Sequence, residues 1–130
     1  MIQESIMNLL RENIAGLTWS VDYRTLGDNT GTVYSDGGEK PGIYDDEMKY
    51  PHYQIYIRSS DFDRCKDIAF KVYALLHKKS DWLINEQNNL IHVYFIEALS
   101  EPLRIGVEDN VMEYSINFRT TLRIEKVKHI

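Results

Sequence analysis

The chain has one cysteine among its 130 residues, Cys65. It can therefore form no intrachain disulfide and no cysteine-based zinc site. Cys65 falls on the apolar side of a predicted helix, where a small buried hydrophobe is a better reading than a reactive thiol. Long hydrophobic runs are missing as well. No stretch approaches the ~18 consecutive apolar residues of a membrane-spanning helix. Met1 through Ile14 carry Glu4, Asn8, Arg11 and Glu12 inside their apolar pattern, which does not suit the unbroken core of a signal peptide. Positive charge is short: 15 Lys and Arg face 20 Asp and Glu, for a net charge of -5. That balance argues against tight or sequence-specific binding to a phosphate backbone, which needs clustered cations. An acidic surface does let a polyanion slide past without sticking.

Several catalytic signatures are absent too. Gly27, Gly31 and Gly37-Gly38 match neither the phosphate-loop nor the dinucleotide spacing, and there is no Gly-x-Ser-x-Gly elbow. The histidines, His52, His77, His92 and His129, lie far apart and form no ligand pair. Asp45, Asp46 and Glu47 are adjacent carboxylates that could bind a divalent cation, with His92 completing a nuclease-like site. Adjacent residues seldom converge on one ion, however, and the spaced oxygens of a calcium loop are missing, so a solvated charged loop is the better reading. No cofactor or metal is expected.

What is present is a globular composition, 43% hydrophobic and 27% charged, long enough for one domain over residues 1–130. Ile2, Ile6, Leu9, Leu10 and Ile14 recur at helical spacing, predicting a helix over 2–14. Leu17, Trp19, Val21 and Tyr23 alternate with polar residues as in a half-buried strand. Tyr53, Ile55 and Ile57 repeat that pattern. A second helix follows, capped by Ser59 or Ser60, with Phe62, Cys65, Ala69, Val72, Tyr73 and Leu76 on one face. Asp61 and Asp63 fall in its first turn and His77, Lys78 and Lys79 in its last, as the helix dipole favours. Trp82-Leu83-Ile84 forms a short strand or turn. Leu90 to Ala98 is apolar nearly throughout and predicts a strand covered on both faces, or partly by a neighbouring subunit. Ser100-Glu101-Pro102 interrupts it, and Glu108-Asp109-Asn110 marks another turn.

Five of the seven glycines lie between Arg24 and Pro51, a stretch in which only Thr32-Val33-Tyr34 suggests a strand. Unstructured connections beyond ~12–15 residues are uncommon and usually functional or mobile. Its tyrosines, Tyr34, Tyr44 and Tyr50, are hard to place in a core and suit a protein interface. Residues 24–50 hold six acids against three bases, a balance of -3. Residues 119–130 hold Arg119, Arg123, Lys126 and Lys128 against Glu125, a balance of +3. Opposite patches suit a head-to-tail contact between copies in which Asp45, Asp46 and Glu47 meet the basic strand.

Met112, Tyr114, Ile116, Phe118, Leu122 and Ile124 alternate with polar residues, giving one long final strand. At ~3.3 Å per residue it would span about 43 Å, more than the ~36 Å diameter of a domain this size. It must bend, break at a bulge or project. With no helix between the later strands, pairing must be antiparallel. The expected fold is α+β: a mainly antiparallel sheet, two helices packed on one face, and a long glycine-rich loop.

Tyr50-Pro51-His52-Tyr53-Gln54-Ile55-Tyr56-Ile57-Arg58 runs into Asp61-Phe62-Asp63-Arg64-Cys65-Lys66-Asp67-Ile68-Ala69, then Val72-Tyr73-Ala74-Leu75-Leu76-His77. With the Glu101-to-Gly106 turn and the long alternating strand, this order resembles the tail terminator proteins of long-tailed bacteriophages, often labelled minor capsid proteins. The resemblance implies a virion structural protein without catalytic residues, made in the host cytoplasm. It further implies a homohexameric ring at the head-proximal end of the tail that stops tube growth and docks the head connector. Its partners would be other copies of itself, the tail tube protein and the connector protein, with no membrane. The alternatives are a neck or head-tail connector subunit, an unrelated binding module, and a small metal-dependent enzyme using Asp45, Asp46 and Glu47.

Overall fold

Alternation of apolar side chains decides most of the architecture in the computed structural model, which describes residues 2–25, 27–39, 48–86 and 88–126. Helix α1 (Gln3–Asn13) follows from Ile2, Ile6, Leu10 and Ile14, whose spacing of four sets all of them on one buried side. Helix α2 (Phe62–Leu76) buries Cys65, Ile68, Ala69, Val72 and Leu76.

Eight strands complete the fold: β1 (Thr18–Val21), β2 (Thr30–Ser35), β3 (Met48–Lys49), β4 (His52–Ser59), β5 (Ser80–Glu86), β6 (Asn89–Ala98), β7 (Leu103–Glu108) and β8 (Val111–Lys126). They form one curled sheet in the order β1-β2-β4-β8-β6-β5, with β3 and β7 also paired to β8. All pairings are antiparallel except β1 with β2. That parallel pair needs no crossover helix. Four residues of β1 require the chain to walk back only about 13 Å, within reach of the loop 22–29. The α+β class with two helices and a mostly antiparallel sheet is as the sequence predicts.

Strand β8 is the spine. Along one edge it pairs with β4 from Met112 to Arg119 and then with β3 at Leu122 and Arg123. Along the other it pairs with β7 from Val111 to Ser115 and with β6 from Phe118 onward. Its excess length is thus shared between two successive partners on each side. The register slips at Val93/Phe95 in β6 and at Arg104/Gly106 in β7, so the bulges lie on its neighbours. Ile55 and Ile57 of β4 join Ile116, Phe118 and Leu122 of β8 and Ile91 and Val93 of β6 in the core beneath the helices.

Four details differ from the sequence reading. Asp61, not Ser59 or Ser60, caps α2 by accepting from the Arg64 amide at 3.1 Å. The two serines are engaged elsewhere: Ser59 Oγ donates to Asn29 Oδ1 at 2.7 Å, and the Ser60 amide donates to Asp28. Phe62, expected in the core, is 42% exposed at the first helical position. Helix α2 ends at Leu76, before Lys78 and Lys79. His77 Nδ1 there accepts from the Ala98 amide at 3.0 Å, and Lys78 (φ 67°) turns the chain into β5. Finally, Leu103–Glu108 is a strand, joined to β8 through Asp109 and Asn110, both at positive φ as a two-residue hairpin turn requires. Within the 24–50 segment, six residues form β2 and two form β3, while residues 40–47 lie outside those described.

Candidate interaction surface

The face of the sheet opposite the helices is built from the other half of each alternating strand. Reading across at one level, Thr30, Arg58 and Glu113 are register partners; at the next, Thr32, Tyr56 and Ser115; then Tyr34, Gln54 and Asn117. The polar residues between the core positions of β2, β4 and β8 thus converge on a single surface.

Tyr34 and Tyr56 meet edge to face, ring centroids 5.4 Å apart. Desolvation raises the Tyr34 phenol above its ordinary value. Beside them is an open groove of about 510 Å³, lined also by Arg24, Arg58, Ile105 and Glu113. Arg58 is 8% exposed, and its guanidinium donates to the Gly27 carbonyl at 3.5 Å. Asn117 Oδ1 and Thr30 Oγ1 are buried on this face without a hydrogen-bond partner among the described residues.

Further along, His52, Arg119 and Glu97 form another cross-strand row. Arg119 Nε donates to Glu39, while Nη1 donates to Glu97 Oε1 and Thr121 Oγ1, each at 3.2 Å. Its guanidinium lies over the Tyr50 ring, 4.7 Å from the centroid. His52 Nε2 is 3.2 Å from Glu39. The hydrogen bond from Arg119, helped by His52, holds the Glu39 carboxyl below the usual carboxylate range.

Of the residues expected to make contacts, Tyr34, Tyr50, Arg119 and Arg123 belong to this part of the sheet. Tyr50 and Arg119 touch. Arg123 stands between Met48 of β3 and His92 of β6, its Nε 3.8 Å from Glu125. Lys126 ends β8, and its side chain is outside the described set. Tyr44, Asp45, Asp46 and Glu47 also lie outside it. One acid of the loop does meet the basic strand, but within the chain: Glu39 pairs with Arg119. The sequence reading missed Tyr56, Arg58 and Glu113. Their signal was the outward half of the β4 and β8 alternation, which was used only to find the core.

Among the described residues no group of three or more His, Cys, Asp or Glu could hold a metal ion. His92 lies 3.4 Å from Asp81 and stacks near Tyr94, and His77 is bound to the Ala98 amide. Cys65 is fully buried; its Sγ lies 3.4 Å from the carbonyls of Ile57 and Met112, and burial pushes the thiol up to about 11. Arginine and tyrosine, both present on this face, are residue types enriched where proteins meet.

A family model described as bacteriophage tail terminator protein matches residues 19–124, from β1 to near the end of β8. No curated protein sequence matches the chain significantly.

Proposed function

Because the chain belongs to the bacteriophage tail terminator family, we propose that it caps the head-proximal end of the tail tube as a homohexameric ring. As a structural protein of the phage tail, it would end tube polymerisation and then present a docking surface to the head connector. The observation that carries this reading is the family match across 106 of the 130 residues, which reaches every strand of the sheet. The bare face supports it: Tyr34, Tyr50, Arg119 and Arg123 offer aromatic and cationic groups to a protein partner, either the last tube ring or the connector. A net charge of -5 also suits a passage through which DNA must move without being gripped.

The test is tube polymerisation with and without this protein. Tube protein assembled in its presence is expected to stay short, with the added protein seen at one end by immunogold electron microscopy. Unchanged tube length, together with binding to the connector protein alone, would favour a neck subunit.

A further inference from the structure

Arg58 is a charge that this fold buries without a close partner. It belongs to β4, on the face away from the helices, and is only 8% exposed. A guanidinium taken from water is expected to have a carboxylate or several acceptors at its nitrogens. Arg58 has one hydrogen bond, from Nη1 to the Gly27 carbonyl at 3.5 Å, which is long for such a bond. Among the described residues no carboxylate lies within ion-pairing distance of it. Glu113 stands opposite in the register, and the charge of Arg58 helps to lower the Asp28 carboxyl, yet neither acid closes onto the guanidinium.

What Arg58 faces is open space. It lines the groove of about 510 Å³ beside Tyr34 and Tyr56, and a smaller cavity of about 190 Å³ that shares Ile105 and Glu113 with that groove. Most polar groups around the groove can donate. Arg24 is a second, exposed cation with no ion pair or hydrogen bond among the described residues. The Tyr34 and Tyr56 hydroxyls and the Gln54 amide also lack a hydrogen-bond partner there. Such a set calls for an acceptor, and a planar carboxylate fits the guanidinium fork through two parallel hydrogen bonds. A phosphate backbone fits less well, because Glu113 lines the same groove and the chain carries a net charge of -5.

We infer that this groove receives an acidic segment of a neighbouring tail protein, one carboxylate of which seats on Arg58 with Arg24 as the second cation. Ile105, 56% exposed at the groove, offers apolar contact to the stem of that side chain. The carboxylate would supply the partner that Arg58 lacks within the chain, and the pairing would be specific because the guanidinium is already held in place. The inference rests on the tail-protein reading above and names the chemistry of the partner at the bare face.

The test is fluorescence anisotropy of a rhodamine-labelled peptide alternating Glu and Ser, titrated with the whole chain, beside a Gln-and-Ser counterpart and a labelled oligothymidylate. Saturable binding of the acidic peptide alone is expected. Arg58→Gln should weaken it at least about tenfold, as losing a hydrogen bond to a charged group does. Arg24→Gln should weaken it about two- to fivefold, and Glu113→Gln should tighten it by a similar factor, since a like charge leaves the groove. Tightening is a result that misfolding cannot imitate, and thermal unfolding is followed for each variant. No saturable binding of the acidic peptide, or equal binding of oligothymidylate, would overturn the inference. So would a Glu113→Gln variant that loses stability without binding more tightly, because Glu113 would then be the structural partner of Arg58. An acidic peptide that blocks self-assembly in light scattering would assign the groove to a second copy and overturn the partner named here. Tube capping by a protein whose groove binds no peptide would remove this inference alone. Peptide binding by a protein that leaves tube length unchanged would support the groove and remove the terminator reading alone.

Discussion

The two faces of the sheet come from the same strands, yet they do opposite work. On the covered face, Ile55, Ile57, Ile116, Phe118 and Leu122 are almost wholly removed from water. On the other face, one residue away along each strand, stand Tyr56, Asn117 and Arg119, which are partly exposed, and Arg58 and Ser115, which are polar but buried. Because successive side chains on a strand point to opposite sides, one stretch of sequence writes both surfaces at once. The covered face holds the chain together. The bare face has arginine, tyrosine and paired carboxylates, which add little stability and suit recognition.

Mutation can test that division. Phe118→Ala should have the largest effect, a loss of about 3–5 kcal/mol, because its ring is buried and leaves a cavity; urea unfolding would measure it. Reversing the charges at Asp45, Asp46 and Glu47 should weaken association between copies at low salt if this segment meets a neighbour's basic strand. An unchanged assembly mass would remove that contact from consideration.

Acid should act through the carboxylates tied to polar partners. Hydrogen bonds from Ser60 lower the Asp28 carboxyl, and those from Arg119 and His52 lower Glu39. A carboxyl depressed in the folded state adds stability that is fully present above its unfolded value. That stability is lost as pH falls through the folded value, so it should fade as pH drops below the ordinary carboxylate range. Glu39→Gln should flatten part of this acid limb and leave stability near pH 7 to 8 with no further pH dependence from that site; thermal unfolding across pH would check it. The smallest effect belongs to Tyr34→Phe, which keeps the ring against Tyr56 and should change stability by no more than about 0.5 kcal/mol. A large loss there would mean that the bare face, too, is holding the fold together.

Helix α2 and strands β4 and β8 were legible because long periodic patterns specify element type and buried face together. The reading failed where local signals competed. Two serines before α2 looked like caps, but tertiary bonds to Asp28 and Asn29 claim them and leave the cap to Asp61. Strand β7 was missed because Pro102, Gly106 and the Asp109-Asn110 turn crowd its few residues. Strand β2 was read only at Thr32-Val33-Tyr34, its start obscured by the surrounding glycines, one of which is structural: a side chain at Gly31 would strike the Trp19 ring. The Arg119 network could not be read in advance. It joins Glu39 to a residue 80 positions away, a pairing fixed only once β8 lies beside β4 and β6.

The most direct test of the central claim is the mass of the wild-type protein in solution, measured by light scattering across a concentration series and with tube ends added. A closed species near six times the 15.3 kDa chain mass, reached on its own or on tube ends and growing no further, is the predicted result. A mass fixed at one chain under every condition, or growth without limit, would contradict the ring.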